Sequence, residues 1–275
     1  MGNILSEWGE RTWKKDKAAK IPRKPKRFNV HIPRQELRRL LLAEIPEDAI
    51  LWGQELSDIR QIETTDLGAC SSRIELKFEK NSIQERGRLH LPSAALPTIV
   101  VGADGIWSQV RQSMFQGNAA DPSPLRYLEC FVLLGISPTP LSSNEPLLLD
   151  NQTIFETVDG VTRLYGMPYS NSSQSGQTMW QLSFPIADEQ EAIILGKKGA
   201  ESLKLEALRR CGSWHAPIPN LLESTSLNLL TGYPVYDRPV PNPIDGSLRP
   251  VSLPSNITLI GDAAHPVRRC SIRLN

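Results

Sequence analysis

The chain has 275 residues, of which 40% are hydrophobic and 22% are charged, and its formal net charge is +1. This composition is that of an ordinary globular protein with one large domain or two closely packed ones, and the near-zero charge argues against nucleic acid as the main partner. No apolar stretch approaches the roughly 18 residues of a membrane span, and four scattered cysteines without CxxC spacing indicate reduced thiols in the cytoplasm or another reducing compartment rather than a metal site.

The amino terminus carries two features that bear on membrane attachment. Met1–Ser6 fits the pattern for N-myristoylation at Gly2. Between Arg11 and Arg39 there are twelve Lys or Arg residues against two acids. Such a run is typical of a solvated segment, although an acyl chain together with basic residues would make a workable membrane anchor.

A helix is predicted to start at Pro33, because proline suits the first turn of a helix. Leu37, Leu40 and Leu41 then fall on one face of this helix. Short strands are predicted to follow. Ile50–Trp52 is one candidate, and the alternation of residues 73–79 predicts a half-buried antiparallel strand.

The stretch from Ile99 to Arg111 has a strand, a turn and the start of a helix. Three β-branched residues at 99–101 predict a buried strand, and Gly102 and Gly105 bracket the turn that follows. Ser108 is placed to cap a helix that runs toward Phe115. Joins of this kind bring backbone N–H groups close to a phosphate-bearing ligand.

Residues 117–255 are predicted to form a separate lobe of strands and helices. Strand-like segments lie at 130–136, 153–158, 161–166 and 177–186. A two-residue hairpin turn is predicted at Asp159-Gly160, and Asp188 is placed to cap a helix. The sequence leaves open whether its aromatic residues line a substrate pocket or belong to the core; these are Trp180, Trp214 and Tyr236.

The last recognisable unit is predicted to be a buried strand at 257–260 followed by a tight turn at 261–264. The two turn segments read GADGIWSQVR at positions 102–111 and LIGDAAHP at 259–266. They resemble, in this order, two flavin fingerprints of the flavin-dependent aromatic hydroxylase family, which includes para-hydroxybenzoate hydroxylase and zeaxanthin epoxidase. The resemblance implies FAD as the cofactor, NAD(P)H as the reductant, and dioxygen and a small electron-rich organic molecule as substrates.

The resemblance also implies roles for individual residues. The leading arginine of the family's R-x-x-L helix reaches the phosphate and ribitol region of FAD, and Arg34 matches it. The aspartate at the position of Asp262 accepts a hydrogen bond from a ribityl hydroxyl, and an ionised carboxylate suits this role because it is an acceptor with several lone pairs. Asp104 is expected to support the pocket wall near Arg34 and the approach of the nicotinamide nucleotide. The small residues let the backbone approach the cofactor; these are Gly102, Gly105, Gly261 and Ala263. The resemblance names no catalytic acid, base or nucleophile in this chain, since the cofactor supplies the chemistry.

The chain departs from the family's pattern at both ends. No two of its glycines have the G-x-G spacing of the phosphate-binding βαβ unit that begins the family's fold, and residues 266–270 lack the expected glycine-rich continuation. The expected fold is therefore mixed α/β: an incomplete Rossmann-like FAD domain without its first βαβ unit, with an inserted sheet-rich substrate lobe. The expected boundaries are 1–116 for the partial FAD domain, 117–255 for the lobe and 256–275 for the return, and truncation at both ends is expected.

The function that follows is an FAD-dependent monooxygenase that hydroxylates or epoxidises an electron-rich substrate. The sequence leaves open whether this chain alone is an active enzyme, and without the glycine-rich turn we expect weak flavin binding. Two alternatives stay open: a non-catalytic fragment or binding protein that retains the substrate lobe, and an N-myristoylated peripheral membrane protein. The substrate, the choice between NADH and NADPH, and the oligomeric state are not indicated.

Overall fold

The computed structural model describes residues 32–66, 69–80, 94–95, 97, 99–115, 121, 123–139, 149, 153–172, 175–239 and 256–266. The myristoylation pattern at Gly2 and most of the basic run lie outside these residues. The described residues fall into two compact units, of which the first comprises residues up to 44 and 129–235 and the second comprises 45–128 and residues from 236 onward. The domain division predicted from the sequence has other boundaries and stays a prediction.

The chain is a mixed α/β protein, as its sequence predicts. In chain order its strands are β1 (Gln54–Asp66), β2 (Ala69–Lys80), β3 (Ala94–Ala95), β4 (Val100–Gly102), β5 (Arg126–Thr139), β6 (Phe155–Val158), β7 (Arg163–Ser172), β8 (Ser175–Pro185), β9 (Leu230–Asp237) and β10 (Ile257–Leu259). Its α-helices are α1 (Arg34–Ala43), α2 (Gln109–Met114), α3 (Glu189–Lys197), α4 (Ala200–Cys211) and α5 (Ile218–Ser224). Three-residue 3-10 turns lie at Glu47–Ala49, Leu227–Leu229 and Gly261–Ala263.

The first unit is built on a sheet with the strand order β6-β7-β8-β5-β9. The pairs β6/β7, β7/β8 and β8/β5 are antiparallel. Apolar side chains of the central strands form the core, among them Phe131, Leu182 and Phe184, all fully buried. Trp180 packs onto Gly135, which pairs with it in register, and a Cβ on Gly135 would overlap the indole ring. The predicted strand-rich segments of residues 130–186 are thus confirmed.

Helices α3, α4 and α5 bury apolar residues in the same unit. Asp188 caps α3, because its Oδ1 accepts hydrogen bonds from the amides of Gln190 and Glu191 at 2.7 and 3.1 Å. The buried residues of α4 and α5 are Leu203, Ala207, Cys211, Ile218, Leu221 and Leu222. Among the described helices, none has both the length and the hydropathy that crossing a bilayer requires.

Helix α1 begins directly after Pro33, as predicted, but it has no buried residue. Leu37, Leu40 and Leu41 share a face, and their side chains are 44%, 44% and 59% exposed. Glu36 and Arg39 form an exposed ion pair one turn apart on the same helix. The helix is therefore amphipathic in sequence, while its leucines remain largely exposed in the described part of the chain.

The second unit begins with an antiparallel pair of long strands. β1 and β2 pair from Gln54 with Lys80 to Asp66 with Ala69, and β3 adds to β2. Ile74 is fully buried and packs with Val100 and Val110, so β2 forms the half-buried strand that its alternation predicts. The predicted strand at residues 50–52 is wrong, because the chain turns there and Gly53 adopts a φ of +71° before β1.

Strands β4 and β10 form a two-stranded parallel sheet, with Ile257 opposite Val100 and Leu259 opposite Gly102. On β4, Val100 and Gly102 are buried and Val101 is exposed, and Ile99, which precedes the strand, is exposed as well. The prediction of a wholly buried strand at 99–101 therefore holds for one face only. This small sheet sets the geometry of the site, since each of its strands leads directly into one of the two sequence motifs.

Candidate functional site

The two motif turns leave neighbouring parallel strands at the same edge. β4 ends at Gly102 and continues into the turn Ala103-Asp104-Gly105, while β10 ends at Leu259 and continues into the turn at 261–264. The amide of Ile260 donates to the carbonyl of Gly102 at 2.9 Å, which extends the pairing to the start of both turns. In open α/β sheets, ligands bind at the carboxyl ends of parallel strands. Residues far apart in the sequence thus meet at an edge where a ligand site is expected.

The three motif glycines have two different environments. A Cβ on Gly102 would lie 2.6 Å from Leu259 Cδ2 and 2.8 Å from Val110 Cβ, so only glycine lets β4, β10 and α2 pack this closely. Gly105 and Gly261 instead have positive φ angles of +83° and +59°, and a Cβ on either would meet no atom within 4 Å. Backbone at these two positions therefore borders open space that a ligand can reach.

The first turn also forms the start of helix α2. Ser108 Oγ accepts a hydrogen bond from the amide of Arg111 at 2.9 Å, which confirms the predicted helix cap. Asp104 Oδ2 accepts from the amide of Val110 at 3.1 Å, so this carboxylate also satisfies a donor of the first helical turn. The Asp104 side chain is exposed and one of its oxygens has this fixed partner.

The second turn is closed by its own backbone. The amides of Ala264 and His265 both donate to the carbonyl of Gly261, at 3.1 and 2.9 Å. Ala263 is fully buried and Asp262 is exposed. The turn therefore presents the Asp262 carboxylate to the solvent while Ala263 anchors it.

The predicted site residues divide between the two units. The second unit contains Gly102, Asp104, Gly105, Gly261, Asp262 and Ala263, and the pairing of β4 with β10 brings their two turns together. Arg34 belongs to the first unit, where it is exposed in the first turn of α1. The assignment of these residues to a cofactor remains a prediction.

A buried arginine connects the two motif turns. Arg111 lies on α2, and its side chain is only 7% exposed. Its Nη1 donates to the carbonyl oxygens of Ala263 and Ala264, both at 3.2 Å. Its Nε and Nη2 donate to Asp121 Oδ2 and Oδ1 at 2.8 and 2.6 Å, a two-point pairing of the kind that arginine forms best. The guanidinium thus joins α2, Asp121 and the second turn.

A second buried arginine shares the same carboxylate. Arg238 Nη1 donates to Asp121 Oδ2 at 3.0 Å and to the carbonyl of Ser123 at 2.8 Å. Its Nη2 donates to the carbonyl of Ile106 in the first turn at 3.1 Å. The side chain is 6% exposed, and its Nε is buried without a hydrogen-bond partner in the structure. We refer to Arg111, Asp121 and Arg238 together as the arginine cluster.

The electrostatics of the arginine cluster favour an ionised Asp121. Burial raises the pKa of the Asp121 carboxyl, but hydrogen bonds from Arg111 and the Ser123 amide and the charges of both arginines outweigh burial and hold this pKa below its usual range. Burial, followed by repulsion from Arg111, lowers the pKa of Arg238. With both arginines ionised the cluster carries a net charge of +1, from two cations and one anion.

The arginine cluster could not be predicted from the sequence. Arg111 ends the first motif, and the Asp-x-Ser pattern at 121–123, where the Ser123 amide bonds Asp121 Oδ1 at 2.8 Å, was the available signal for an ordered turn. Nothing in the spacing of Arg111, Asp121 and Arg238 indicates that they meet, because 117 residues separate Asp121 from Arg238.

The three aromatic residues considered as pocket candidates have different surroundings. Trp180 is 1% exposed and its indole N–H donates to Thr225 Oγ1 at 2.8 Å, so it is a core residue of the first unit. Trp214 is half-buried. Tyr236 contacts Trp107 and Tyr127 at ring-centroid distances of 5.2 and 5.6 Å, and Trp107 is exposed.

One curated protein shares recognisable sequence with this chain. It is an aurachin C monooxygenase/isomerase from Stigmatella aurantiaca, 29% identical over 178 residues, which is 62% of this chain and 36% of the relative. The chain matches no protein-family model.

Solved structures resemble the chain over more of its length. Klebsiella pneumoniae HpxO, complexed with FAD and uric acid, matches 84% of this chain and 48% of its own with a TM-score of 0.56 at 18% identity. A salicylate hydroxylase in complex with its substrate matches 84% of this chain and 50% of its own with a TM-score of 0.52 at 16% identity. The chain thus spans about half the length of these proteins, and at such identities the likeness establishes the fold. Its fold is that of the FAD-dependent aromatic hydroxylases, which confirms the resemblance predicted from the two motifs.

Proposed function

We propose that this chain provides part of the flavin site and the substrate lobe of an FAD-dependent monooxygenase. The observation that carries the proposal is the pairing of β4 with β10, because it brings the turns of both flavin-type motifs to one sheet edge. The curated relative is named as a monooxygenase and HpxO was solved with FAD, and both agree with this function.

The residues at this edge fit a flavin nucleotide by three features of the structure. Gly105 and Gly261 leave open space where a side chain would otherwise stand, so a ligand can approach the backbone closely. Asp262 is an exposed acceptor beside one of these glycines, suited to a sugar or ribityl hydroxyl. The arginine cluster contacts both turns, and its net positive charge favours an anionic ligand at this edge.

The proposal gives each predicted residue a task. Asp262 accepts a hydrogen bond from a ribityl hydroxyl, and Arg34 binds the anionic phosphate region, for which the guanidinium fork is well suited. Gly102 and Ala263 permit the close packing on which the turns rest, and Gly105 and Gly261 permit approach of the cofactor. Asp104 orders the first turn through the Val110 amide and supports the approach of NAD(P)H.

When bound, FAD would supply the redox chemistry, taking electrons from NAD(P)H and activating dioxygen for transfer to the substrate. The chain's own residues bind the cofactor, orient the substrate and exclude water from it. The proposed arrangement is an incomplete Rossmann-like FAD domain at 1–116 and 256–275 with an inserted substrate lobe at 117–255. The substrate class we propose is a small electron-rich organic molecule, hydroxylated or epoxidised; uric acid in HpxO is a compound of this size.

Flavin titration tests the proposal directly. We expect the purified chain to quench FAD fluorescence on binding, and Asp262→Ala to weaken the affinity by about 1–3 kcal/mol, the scale of a hydrogen bond that involves a charged group. Asp58→Ala is the matched control, because Asp58 is a carboxylate of the same unit that pairs with exposed Arg60 on β1. Equal affinities for Asp262→Ala and Asp58→Ala would refute the assignment of Asp262, and no flavin binding by the unsubstituted chain would refute the proposed function for this chain. Binding without NAD(P)H oxidation would instead favour a non-catalytic binding protein.

A further inference from the structure

Each motif turn accepts backbone hydrogen bonds from a different buried arginine, and both arginines pair with one carboxylate, that of Asp121. We propose that Asp121 is a positioning residue that couples the two turns, and that it thereby holds Gly105 and Asp262 in the arrangement that binds flavin. The second half of this proposal rests on the proposed function; the first half concerns the apo chain and is testable without any ligand.

The contacts act on peptide planes. Arg238 holds the carbonyl of Ile106, which follows Gly105, and Arg111 holds the carbonyls of Ala263 and Ala264, which follow Asp262. A peptide unit is planar, so fixing a carbonyl oxygen also fixes the orientation of the adjoining backbone. The two arginines therefore set the directions in which the turns present their glycine backbone and the Asp262 side chain.

Neither arginine has another anion in its described surroundings that could replace Asp121. Their remaining acceptors are the backbone carbonyls of Ser123, Ile106, Ala263 and Ala264. Without Asp121 two guanidinium groups would face each other in a mostly buried site, and repulsion would drive one of them toward the solvent. Loss of this single carboxylate should therefore release both turns, whereas loss of one arginine should release mainly the turn it contacts.

The other ion pairs in the described part of this unit join their partners without involving the motif turns. Arg60 with Asp58 is an exposed pair on β1, and Lys77 with Glu75 is a pair on β2. Arg126 with Asp237 joins residues of β5 and β9, and the Arg126 side chain is 51% exposed. The hydrogen bonds of Arg60 with Asp58 and of Arg126 with Asp237 run between side chains of each pair. Asp121, in contrast, pairs with both of the arginines that donate hydrogen bonds to the backbone of the motif turns.

Hydrogen–deuterium exchange of the full chain, read by mass spectrometry, tests the coupling. The reporters are the Ser108 amide, which bonds the Gly105 carbonyl, and the Ala264 and His265 amides, which bond the Gly261 carbonyl. We expect Asp121→Asn to speed exchange at both reporters at least about tenfold, the change that a loss of about 1.4 kcal/mol in local stability gives. We expect Arg238→Met to act mainly on Ser108, and Arg111→Met mainly on Ala264 and His265.

Ile59→Ala is the matched control, since Ile59 packs against the core cluster of the same unit and its side chain has no donor or acceptor for either arginine. Suppose that Ile59→Ala lowers the melting temperature as much as Asp121→Asn does, and that it speeds exchange at the reporter amides of both turns by the same factor. The effect would then be a general loosening of the unit, and the proposal would be wrong. Asp121→Glu keeps the charge, and it should restore slow exchange at both reporters. Should Asp121→Asn fail to fold, Asp121→Glu and the two arginine variants still decide the question. If Arg238→Met and Arg111→Met each sped exchange at the reporters of both turns to the same extent, the proposed coupling would be contradicted.

A flavin titration of the same variants tests the functional half. We expect Asp121→Asn to weaken FAD binding at least about tenfold, with Ile59→Ala unchanged and Asp121→Glu restoring most of the affinity. Faster exchange with unaltered FAD affinity would overturn the positioning role and leave the proposed function intact. If the unsubstituted chain binds no FAD, the proposed function and the flavin-positioning role both fail, while the exchange data still decide the coupling.

Discussion

The site glycines with positive φ meet the same backbone requirement as a glycine in an ordinary hairpin turn. Gly105, Gly261 and Gly160 all adopt positive φ, and a Cβ on any of them would border open space. Gly160 lies in the β6–β7 hairpin. A turn forms at Asp159-Gly160 as predicted, but the predicted two-residue length is wrong: Val158 pairs with Arg163, so the loop spans residues 159–162, and the Asp159 amide donates to the Thr162 carbonyl at 3.2 Å. The local backbone requirement is therefore the same, and only the proposed ligand distinguishes the positions.

Alanine substitution at these positions separates backbone strain from ligand access. Gly261→Ala and Gly160→Ala should each lower the free energy of unfolding by about 1–2 kcal/mol, because an L-residue is strained in the left-handed region. Only Gly261→Ala should also weaken FAD binding, since its Cβ would stand where the cofactor approaches. Urea unfolding and FAD titration measure the two effects. Equal FAD affinities for the two variants would show that no ligand approaches Gly261.

Two of the described α-helices, α2 and α3, begin with a side-chain cap. Ser108 and Asp188 both accept hydrogen bonds from first-turn amides, of α2 and α3 respectively. Ser226 precedes the 3-10 turn at Leu227–Leu229 and makes no side-chain cap bond. Ser108→Ala and Asp188→Ala should each lower the free energy of unfolding by about 1 kcal/mol, and Ser226→Ala should change it by less. A loss for Ser226→Ala as large as for Ser108→Ala in urea unfolding would contradict this reading of the caps.

Elements with a local signal were predictable from the sequence. The alternation around Ile74 gave β2, and the polar residues Ser108 and Asp188 gave helix starts that the structure confirms. The strand expected at Ile50–Trp52 was wrong, because a short apolar run does not outweigh the turn that Gly53 introduces. A local sequence pattern is sufficient to predict an element whose position depends on residues within the same segment.

Non-local contacts could not be predicted in this way. The bond from Arg111 to the carbonyl of Ala263 joins residues 152 positions apart, and the sequence identifies neither residue as a partner. The motifs identified both turns, but the buried charges behind them depend on how β4, α2 and β10 pack together. The two motif turns could therefore be predicted from the sequence, whereas the arginine cluster that contacts them could be found only from the fold.

At the scale of the whole molecule, paired carboxylates in both units link stability to pH. The pKa of Glu206 is lowered mainly by its hydrogen bond from Arg209, and Arg210 adds to this against the opposing effect of burial. Hydrogen bonding and charge from Arg163 lower the pKa of Glu156 in the same unit, and in the second unit Arg111 and Arg238 lower that of Asp121 against burial. A carboxyl whose pKa is lower in the folded state stabilises the fold above its unfolded-state pKa, and this contribution is lost as the pH falls through the folded-state value.

We therefore expect the free energy of unfolding to fall as the pH drops below about 4.5, the ordinary pKa of a glutamate. Glu206→Gln should lower stability at pH 7 by about 0.5–1 kcal/mol, a modest value because the Arg209 side chain is 64% exposed and solvent screens the pair. The same variant should lose less stability than the unsubstituted chain as the pH falls below about 4.5, since it has no carboxylate at position 206 to protonate. Urea unfolding at a series of pH values measures both effects. Replacing both Arg209 and Arg210 by glutamine should flatten the pH dependence in the same way, and a slope unchanged in both variants would mean that Glu206 contributes nothing to acid sensitivity.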